Sequence, residues 1–488
     1  MAGICMSYPF IDVFAGAGGL GEGFQSFRTE SRPAFEAVVS VEKEPVFCRT
    51  LVLRHFFHLF DGREVPEDYY RYVAGEITRD ELFALHPGEA EMARRSVLCH
   101  VMENGTQDAL NDELRERLGH SVRWALVGGP PCQAYSLAGR SRRKDDPSFS
   151  ADPRHTLYLQ YLGILDSLAP PVFVMENVPG LLSARLGGQS TLHLIMNDLR
   201  SAGYRLYSLS GSRELDESSD LRQLVVNAGD YGVPQSRKRL FILGIRKDVP
   251  VVPGRLVPRR HVSVGQAIGD LPCVRSHVSR AADSFSDWLG AIEEIRSIGM
   301  DHVADDVRDA VLAALDRTSL FREQKPHAPS AFAAGMRDSR LHGIPQHETR
   351  RHMKSDLQRY FYAAVYARLR GVSPLLKDFP PELLPRHRNI AGHPDVAVFS
   401  DRFRVQLREE LSSTVTAHIR KDGHYFIHYD PFQCRSLTVR EAARLQSFPD
   451  NYFFEGNRTE QYLQIGNAVP PLLAGQIAAI VADVLDGM

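Results

Sequence analysis

The alternation of apolar and polar stretches along the chain predicts strands and helices that follow one another. Short, uninterrupted apolar runs are typical of strands that are buried on both faces of a parallel sheet. These runs predict strands over residues 10–14, 37–41, 124–127, 172–175, 223–228 and 240–244. The pattern therefore predicts an α/β fold built on a mainly parallel sheet.

Apolar residues that recur at helical spacing predict the remaining elements. Helices are expected over residues 105–119, 155–168, 303–315, 357–369, 437–446 and 472–485, with short strands over 413–416 and 425–428. Thr438, followed three positions later by Glu441, predicts a capping box at the start of one helix. The last helix is apolar on most faces, so we expect it to pack against the first part of the chain.

The composition changes between about residues 247 and 410, where proline is frequent, strands are scarce and Arg/His clusters recur. We interpret residues 251–410 as a smaller domain, inserted into a larger one formed by residues 1–250 and 411–488. The polar loops of the smaller domain are expected to face a partner.

Composition narrows the class of protein. The 488 residues include six cysteines but no Cys-x-x-Cys pair, which argues against a disulfide framework and a zinc site, and we assign no metal ligand. We find neither an apolar run of the roughly 20 residues that a membrane-spanning helix needs nor a secretory signal. A reducing cytoplasm is therefore expected. With a net charge of −2, any nucleic-acid binding must come from local basic clusters.

A glycine-rich stretch, Gly16-Ala17-Gly18-Gly19-Leu20-Gly21, follows the first predicted strand and precedes a helix. This context matches the G-x-G-x-x-G fingerprint of dinucleotide-binding folds. Glu42 ends the second strand 21 positions after Gly21, where an acid can hold ribose hydroxyls. Together these features predict an adenosine-containing cofactor, and they leave open whether it is NAD or S-adenosylmethionine.

A single cysteine stands directly after the strand at residues 124–127. Gly128 and Gly129 allow close approach of a ligand, and Pro130 and Pro131 stiffen the chain before Cys132. Open α/β sheets bind ligands at this end of their strands. We therefore interpret Cys132 as a nucleophile, the alternative being a small buried hydrophobic residue.

The loop at residues 137–147 follows this cysteine and contains Arg140, Arg142 and Arg143. A solvated surface loop is the simplest interpretation of such a charge run. Its position beside a nucleophile favours a mobile lid that contacts phosphates.

A carboxyl group and two arginines follow at comparable places in the predicted sheet. Glu176 ends the strand at residues 172–175, where it either meets a heterocycle in the pocket or caps the next helix. Arg237 and Arg239 precede another strand at positions i and i+2, so both are expected to point the same way, onto an anion or a base carbonyl.

Six motifs, taken in order, resemble those of the DNA (cytosine-5) methyltransferase family, in particular bacterial members from restriction–modification or phage-defence systems. They are DVFAGAGG at 12–19, PPCQ at 130–133, ENV at 176–178, QSRKR at 235–239, REAARLQSFP at 440–449 and GNAVP at 466–470. The resemblance implies a Rossmann-like S-adenosylmethionine-dependent methyltransferase domain. It also implies that residues 251–410 form a target-recognition domain inserted before the C-terminal segment.

The resemblance assigns roles to individual residues. Those implied for the cofactor S-adenosyl-L-methionine, and its product S-adenosyl-L-homocysteine, are Phe14, Ala15, Gly16, Gly18, Gly19, Leu20, Glu42, Pro130, Leu157, Asn467 and Val469. The catalytic residues implied are Cys132, Glu176, Arg237 and Arg239. The DNA contacts expected are Gln133, Ser136, Arg140, Arg142 and Arg143. The acid that holds the adenine amino group stays open among Glu103, Asp108 and Asp112.

The activity implied is methyl transfer to C5 of a cytosine flipped out of double-stranded DNA, through a covalent bond from Cys132 to C6. A tRNA methyltransferase of the same family is the first alternative. An NAD-dependent oxidoreductase and a DNA-binding protein without catalysis are the others. We expect a monomer, associated with the nucleoid, that works beside a cognate restriction or phage-defence system. The DNA recognition sequence is not implied.

Overall fold

The computed structural model describes residues 7–30, 32–60, 64–102, 106–130, 154–186, 188–323, 325–385 and 400–488. Its centre is one sheet. The strands are β1 Tyr8–Val13, β2 Phe35–Glu42, β3 Val97–Cys99, β4 Ala125–Gly128, β5 Val172–Asn177, β6 Tyr204–Tyr207, β7 Val225–Asn227 and β8 Lys238–Arg246. All six predicted strands of this sheet are confirmed, and β3 and β6 are additional.

The strand order is β6-β8-β5-β4-β1-β2-β3, with β7 also pairing with β8. The five strands from β5 to β3 run parallel, whereas β8 is antiparallel to β5, β6 and β7. The sheet is therefore mainly parallel, as predicted, and the carboxyl ends of β1, β2, β4 and β5 lie along one edge.

The helices of the described residues connect and cover this sheet. Their bounds are α1 Gly19–Ser26, α2 Pro45–His58, α3 Glu67–Val73, α4 Arg79–Leu85, α5 Pro87–Arg95, α6 Gln107–Leu118, α7 Arg154–Leu168, α8 Thr191–Ser201, α9 Val264–Ile268, α10 Phe285–Glu293, α11 Asp305–Leu315, α12 Ala331–Met336, α13 Lys354–Arg370, α14 Val439–Leu445, α15 Arg458–Asn467 and α16 Pro471–Asp486. The six predicted helices are confirmed as α6, α7, α11, α13, α14 and α16. The predicted capping box of α14 is present.

Two apolar layers cover the two faces of the sheet. On one face, Phe24 of α1 and Ile477 of α16 pack in the same buried cluster as Phe10 of β1. On the other face, Tyr161 of α7 and Ile195 of α8 belong to a second cluster. The predicted packing of the last helix against the first part of the chain is therefore confirmed.

The segment that contains α15 and α16 is long and apolar enough to cross a membrane by length and composition. Residues 458–486 have a mean hydropathy of 1.7 in their most apolar window, but 72% of that window is buried inside the fold. This burial explains the apolar composition, because α16 packs against α1 in the apolar cluster that also contains Phe10 of β1.

A separate apolar core forms beyond the sheet. Trp288 of α10, Val311 of α11 and Tyr360 of α13 are buried together with Cys434. Pairs of two-residue strands occur at Arg28–Thr29 with Arg32–Pro33, Arg185–Leu186 with Gln189–Ser190, Gln235–Ser236 with Ser412–Ser413, and His277–Val278 with Arg351–His352.

Two predictions near the end of the chain need correction. The strand predicted at residues 413–416 is only Ser412–Ser413. The strand predicted at 425–428 is absent from the described residues, where Ile427 alone bridges to Val405 and Ser436. Phe426 and Ile427 are both buried, and the backbone of Ile427 bonds to Arg404 and Gln406 without a continuous ladder.

Candidate active site at the carboxyl edge of the sheet

Polar segments follow β1, β4 and β5 where these neighbouring strands end. The register places Val13 of β1 beside Gly128 of β4, and β5 continues the same parallel ladder. Residues 14–18 follow β1, Gly129 and Pro130 follow β4, and Glu176 and Asn177 form the end of β5. These three segments meet at the edge where open α/β sheets bind their ligands.

The glycine loop, residues 14–18, turns through left-handed backbone. Phe14 has a φ of 56° and Gly16 a φ of 59°. A residue with a Cβ atom adopts this conformation at a cost of about 1–2 kcal/mol, and such strain is common at ligand sites. A Cβ added at Gly16 would meet no atom within 4 Å, so the loop is open on that side.

The start of α1 packs directly against the segment between α15 and α16. A Cβ added at Gly19 would lie 2.1 Å from the carbonyl oxygen of Val469, so only glycine fits there. Asn467, the last residue of α15, is exposed beside this contact. The fold thus brings together the glycine loop and two residues, Asn467 and Val469, that are more than 400 positions away in the sequence.

The other cofactor candidates lie around the same edge. Leu157 of α7 packs half-buried against the apolar cluster that Phe14 also contacts. The backbone N–H of Ala15 donates to the carbonyl of Val41 at the end of β2, at 3.1 Å. Leu20 is buried in α1.

Glu42 holds the glycine loop in place. Its Oε2 accepts a hydrogen bond from the Gly16 N–H at 2.8 Å, and its Oε1 accepts from the N–H groups of Lys43 and Glu44 at 2.9 and 3.0 Å. Burial raises the pKa of Glu42 above its ordinary value. The binding of ribose hydroxyls by this carboxylate stays a prediction, and the structure adds a role in shaping the loop.

Asp12 lies fully buried beneath the loop. Neither carboxylate oxygen has a hydrogen-bond partner within the described part of the chain, and a Cβ added at Gly21 would lie 3.1 Å from Oδ2. Burial raises the pKa of Asp12 to about 8, the Gly21 backbone opposes the shift, and the nearby Glu42 carboxylate adds to it. A buried acid that has no side-chain partner within the described residues can ionise when a cationic group binds nearby.

Glu176 and Arg239 face each other across β5 and β8. The Nε of Arg239 lies 3.0 Å from Glu176 Oε1. A Cβ added at Gly129 would lie 2.8 Å from Glu176 Oε2, so the glycine lets the chain after β4 approach this carboxyl group. Asn177 donates to the carbonyl of the buried Pro130 at 3.1 Å. Gly129 and Pro130 are therefore fixed against the end of β5.

The charge state of Glu176 is set by two opposing effects. Burial raises the pKa of Glu176 above its ordinary value, while the positive charges of Arg239 and Arg237 lower it. Burial has the larger effect, so this carboxyl group holds its proton to higher pH than an exposed glutamate does.

Arg237 and Arg239 do not have the same surroundings, although they are two positions apart. The Arg237 side chain is completely buried, and it donates to the carbonyl of Val415 at 2.7 Å and to that of Gly466 at 3.1 Å. The expectation that both arginines point onto an anion or a base is therefore wrong for Arg237, because both of its Nη atoms bond to these carbonyls. Arg237 positions the C-terminal segment, and Arg239 contacts Glu176.

Several candidates lie outside the described residues. They are Glu103, Cys132, Gln133, Ser136, Arg140, Arg142 and Arg143, together with the loop at 137–147. Two of the acids considered for the adenine amino group are exposed on α6: Asp108, and Asp112, which pairs with Arg115 at 2.6 Å.

Sequence analysis missed a buried amide pair behind the site. Gln235 donates to the Gln446 side chain at 3.1 Å and accepts from the Val415 N–H at 2.7 Å. Gln446 donates in turn to the Ile465 carbonyl at 2.7 Å. Both glutamines belong to motifs quoted above, but a polar residue in a sequence motif does not show that its side chain is completely buried.

Comparisons with known proteins identify the family of this chain. The family model for C-5 cytosine-specific DNA methylases matches residues 123–482. The chain is 34% identical to the type II methyltransferase M.Bpa9945I of Bacillus paralicheniformis, over 98% of this chain and 99% of that protein. It is 26% identical to the type II methyltransferase M.DdeI of Desulfomicrobium norvegicum, over 96% of this chain and 87% of that protein.

A solved structure, the Entamoeba histolytica methyltransferase EhMeth, aligns over 98% of each chain with a TM-score of 0.45 and 11% identity. The fold and the polar strand edge described above are those of a cofactor-dependent α/β enzyme. The chain belongs to the C-5 cytosine-specific DNA methylase family. It is therefore a member of an enzyme class that takes a methyl donor and acts on DNA.

The different surroundings of the two arginines lead to a stability prediction. Arg237→Met leaves the buried carbonyls of Val415 and Gly466 without donors, which we expect to lower the free energy of unfolding by about 3 kcal/mol. Arg239→Met is the matched control, because Glu176 can then keep its proton, and we expect less than half that loss. Urea denaturation of both variants measures the difference, and equal losses would contradict the positioning role of Arg237.

The burial of Asp12 leads to a prediction for pH. Its pKa of about 8 in the fold exceeds the roughly 3.9 of an unfolded chain, so its contribution to stability is complete below pH 4 and declines as pH rises towards 8. Asp12→Asn removes this decline. We expect the stability of the variant relative to wild type to be about 1–3 kcal/mol more favourable at pH 7 than at pH 5.

Urea denaturation of the cofactor-free protein at both pH values measures this difference. The contributions of other acids, such as Glu42, largely cancel between the two proteins. A difference between variant and wild type that does not change with pH would show that Asp12 is ionised in the fold.

Proposed function

We propose that this chain transfers the methyl group of S-adenosylmethionine to C5 of a cytosine in double-stranded DNA, through a transient bond between Cys132 and C6. The observation that carries the proposal is the pairing of Glu176 with Arg239 at the strand edge that also holds the glycine loop. Membership of the C-5 cytosine-specific DNA methylase family supports it.

The residues around the glycine loop would hold the cofactor. Glu42 would accept hydrogen bonds from the ribose hydroxyls, and the α1 N-terminus with Asn467 and Val469 would face the methionine part. Asp12, which burial keeps mainly neutral below pH 8, would lose its proton when a positive charge binds near it. Bound S-adenosylmethionine supplies an electrophilic methyl group.

Three residues would carry the chemistry on the base, and Arg237 would position them. C5 of cytosine is a weak nucleophile, and the attack of the Cys132 thiolate on C6 makes it reactive. Glu176 would share its proton with N3 as negative charge builds on the ring, and Arg239 would hold the carbonyl oxygen. After methyl transfer, loss of the C5 proton expels Cys132 and restores the ring. Arg237 keeps the Gly466 segment in register behind these groups.

The target base must leave the duplex before it can reach Cys132. Flipping costs a few kcal/mol, which contacts of the loop at 137–147 and of the domain at 251–410 would offset. Gln133, Ser136, Arg140, Arg142 and Arg143 would contact the DNA around the flipped nucleotide. We assign residues 251–410 as the target-recognition domain.

The relatives named as type II methyltransferases suggest the cellular setting. We propose that the chain protects DNA from a cognate restriction or phage-defence nuclease, as a cytoplasmic, nucleoid-associated monomer. Bisulfite sequencing of DNA from cells that express the protein tests the reaction and reports the target sequence together.

Replacement of Cys132 is the direct test of the covalent step. With duplex DNA that carries 5-fluorocytosine at the target, wild type plus S-adenosylmethionine should form a complex that resists denaturation, and Cys132→Ala should form none. Cys99→Ala, which removes an exposed thiol, is the control and should behave as wild type. A cross-link in Cys132→Ala, or methylation of tRNA but not DNA by wild type, would overturn the proposal.

The variant Glu176→Gln tests whether Glu176 shares a proton with the ring. The amide can still hydrogen bond to the ring but cannot transfer a proton, so we expect kcat to fall about 10²–10⁴-fold. Affinity for S-adenosylmethionine should stay within about twofold, because Glu176 lies on the base side of the edge. Wild-type kcat should fall as pH rises through the raised pKa of Glu176. An undiminished kcat in the variant would exclude proton sharing by this residue.

A further inference from the structure

A cleft of about 900 Å³ opens beside the start of α15, and most of its charged side chains are basic. The cations that line it are Arg275, Arg350, Arg351, Arg420, Lys421 and Arg458. Two carboxylates, Asp283 and Glu348, also line it. The whole chain has a net charge of −2, so this excess of positive charge is local.

Some of these cations form ion pairs with the carboxylates that line the cleft. Arg275 pairs with Asp283 at 2.7 Å, and Arg458 with Glu348 at 3.4 Å. Arg420 and Lys421 are different, because both are exposed and neither contacts a carboxylate of the described residues. The cleft therefore presents two adjacent, uncompensated cations to solvent.

The turn that carries these two cations is rigidly supported. Arg350 donates to the carbonyl groups of Ile419 and Lys421, and its guanidinium group lies 4.1 Å from the centre of the Tyr462 ring. The 3₁₀ turn Ala417–Arg420 also packs against the end of α15, where a Cβ added at Gly466 would lie 2.3 Å from the Ala417 nitrogen. A turn fixed in this way loses little conformational entropy when it binds a ligand.

The same turn is connected to the catalytic carboxyl group. Arg237 holds both Val415 and Gly466, and Arg239, two positions further, contacts Glu176. Val415 is five positions before Arg420, a distance of at most about 17 Å along the chain. The turn that carries Arg420 and Lys421 therefore belongs to the segment that Arg237 fixes next to the strand that carries Arg239.

We propose that this basic cleft binds the phosphodiester backbone of the target DNA next to the flipped nucleotide, with Arg420 and Lys421 as its direct phosphate contacts. The inference rests on the proposed function for the position of the DNA. Exposed, uncompensated Arg and Lys side chains on a fixed turn fit phosphate oxygens, and such contacts orient DNA without reading its sequence. Arg350 is a positioning residue for the turn.

The double variant Arg420→Gln/Lys421→Gln tests the inference by its salt dependence. Each lost phosphate contact should reduce the slope of log K against log salt concentration by about 1, so we expect a reduction of about 2. Affinity for duplex DNA at low salt should fall at least about tenfold. The KM for DNA should rise, while kcat at saturating DNA and affinity for S-adenosylmethionine stay within about twofold.

The matched control is Arg28→Gln/Arg32→Gln. These two arginines are exposed on the Arg28–Thr29 and Arg32–Pro33 hairpin, which precedes β2 and lies at the amino ends of the strands, away from the site. The control removes the same charge and should leave the salt slope unchanged. The reversed pair Arg420→Glu/Lys421→Glu should weaken binding further than the Gln pair, since phosphate repels carboxylate.

The outcomes separate this inference from the proposed function. An unchanged slope in the Gln pair, or an equal change in the control, overturns the cleft even if wild type methylates DNA. Absence of methylation and of the 5-fluorocytosine cross-link in wild type overturns the proposed function. If duplex binding then still depends on Arg420 and Lys421, the cleft stands as a phosphate-binding surface alone.

Discussion

The structure depends on one buried guanidinium group. Arg237 ends the segment that leads into β8, and it is bonded to the carbonyls of Val415 and Gly466, which belong to separate parts of the C-terminal segment. Gln235 and Gln446 extend the same set of hydrogen bonds. Because a buried carbonyl without a donor is costly, these contacts fix the C-terminal segment against the sheet with a single geometry.

Three carboxyl groups lie at the carboxyl edge of the sheet, and burial favours the neutral form of each. Burial raises the pKa of Asp12, Glu42 and Glu176, each at or near the end of a neighbouring parallel strand. Their environments nevertheless differ: Glu42 accepts three backbone hydrogen bonds, Glu176 has Arg239, and Asp12 has no partner within the described residues. The sheet thus brings three carboxyl groups with different surroundings to one edge.

Much of the sheet could be predicted from the sequence, whereas the roles of the site residues stay predictions. Buried parallel strands give apolar runs, and the capping box of α14 is a local signal, so both were recognisable. The different surroundings of Arg237 and Arg239 were not recognisable, because the carbonyls that bond to the buried Arg237 are distant in the sequence. Helix α15 was missed because its polar residues resemble a loop. The capping of this helix by Asn457 is evident only in the structure. Sequence alone likewise placed Glu42 near a ligand without showing that it holds Gly16.

The contact between Gly19 and Val469 has a consequence for synthesis of the enzyme. The start of α1 fits only against the segment that follows α15, so the glycine loop lacks one wall until that segment exists. A ribosome that adds about 5–20 residues per second needs roughly 20–90 s to travel between the two positions. A nascent chain can therefore form β1 early, but it cannot complete the wall of the glycine loop until translation has passed residue 469.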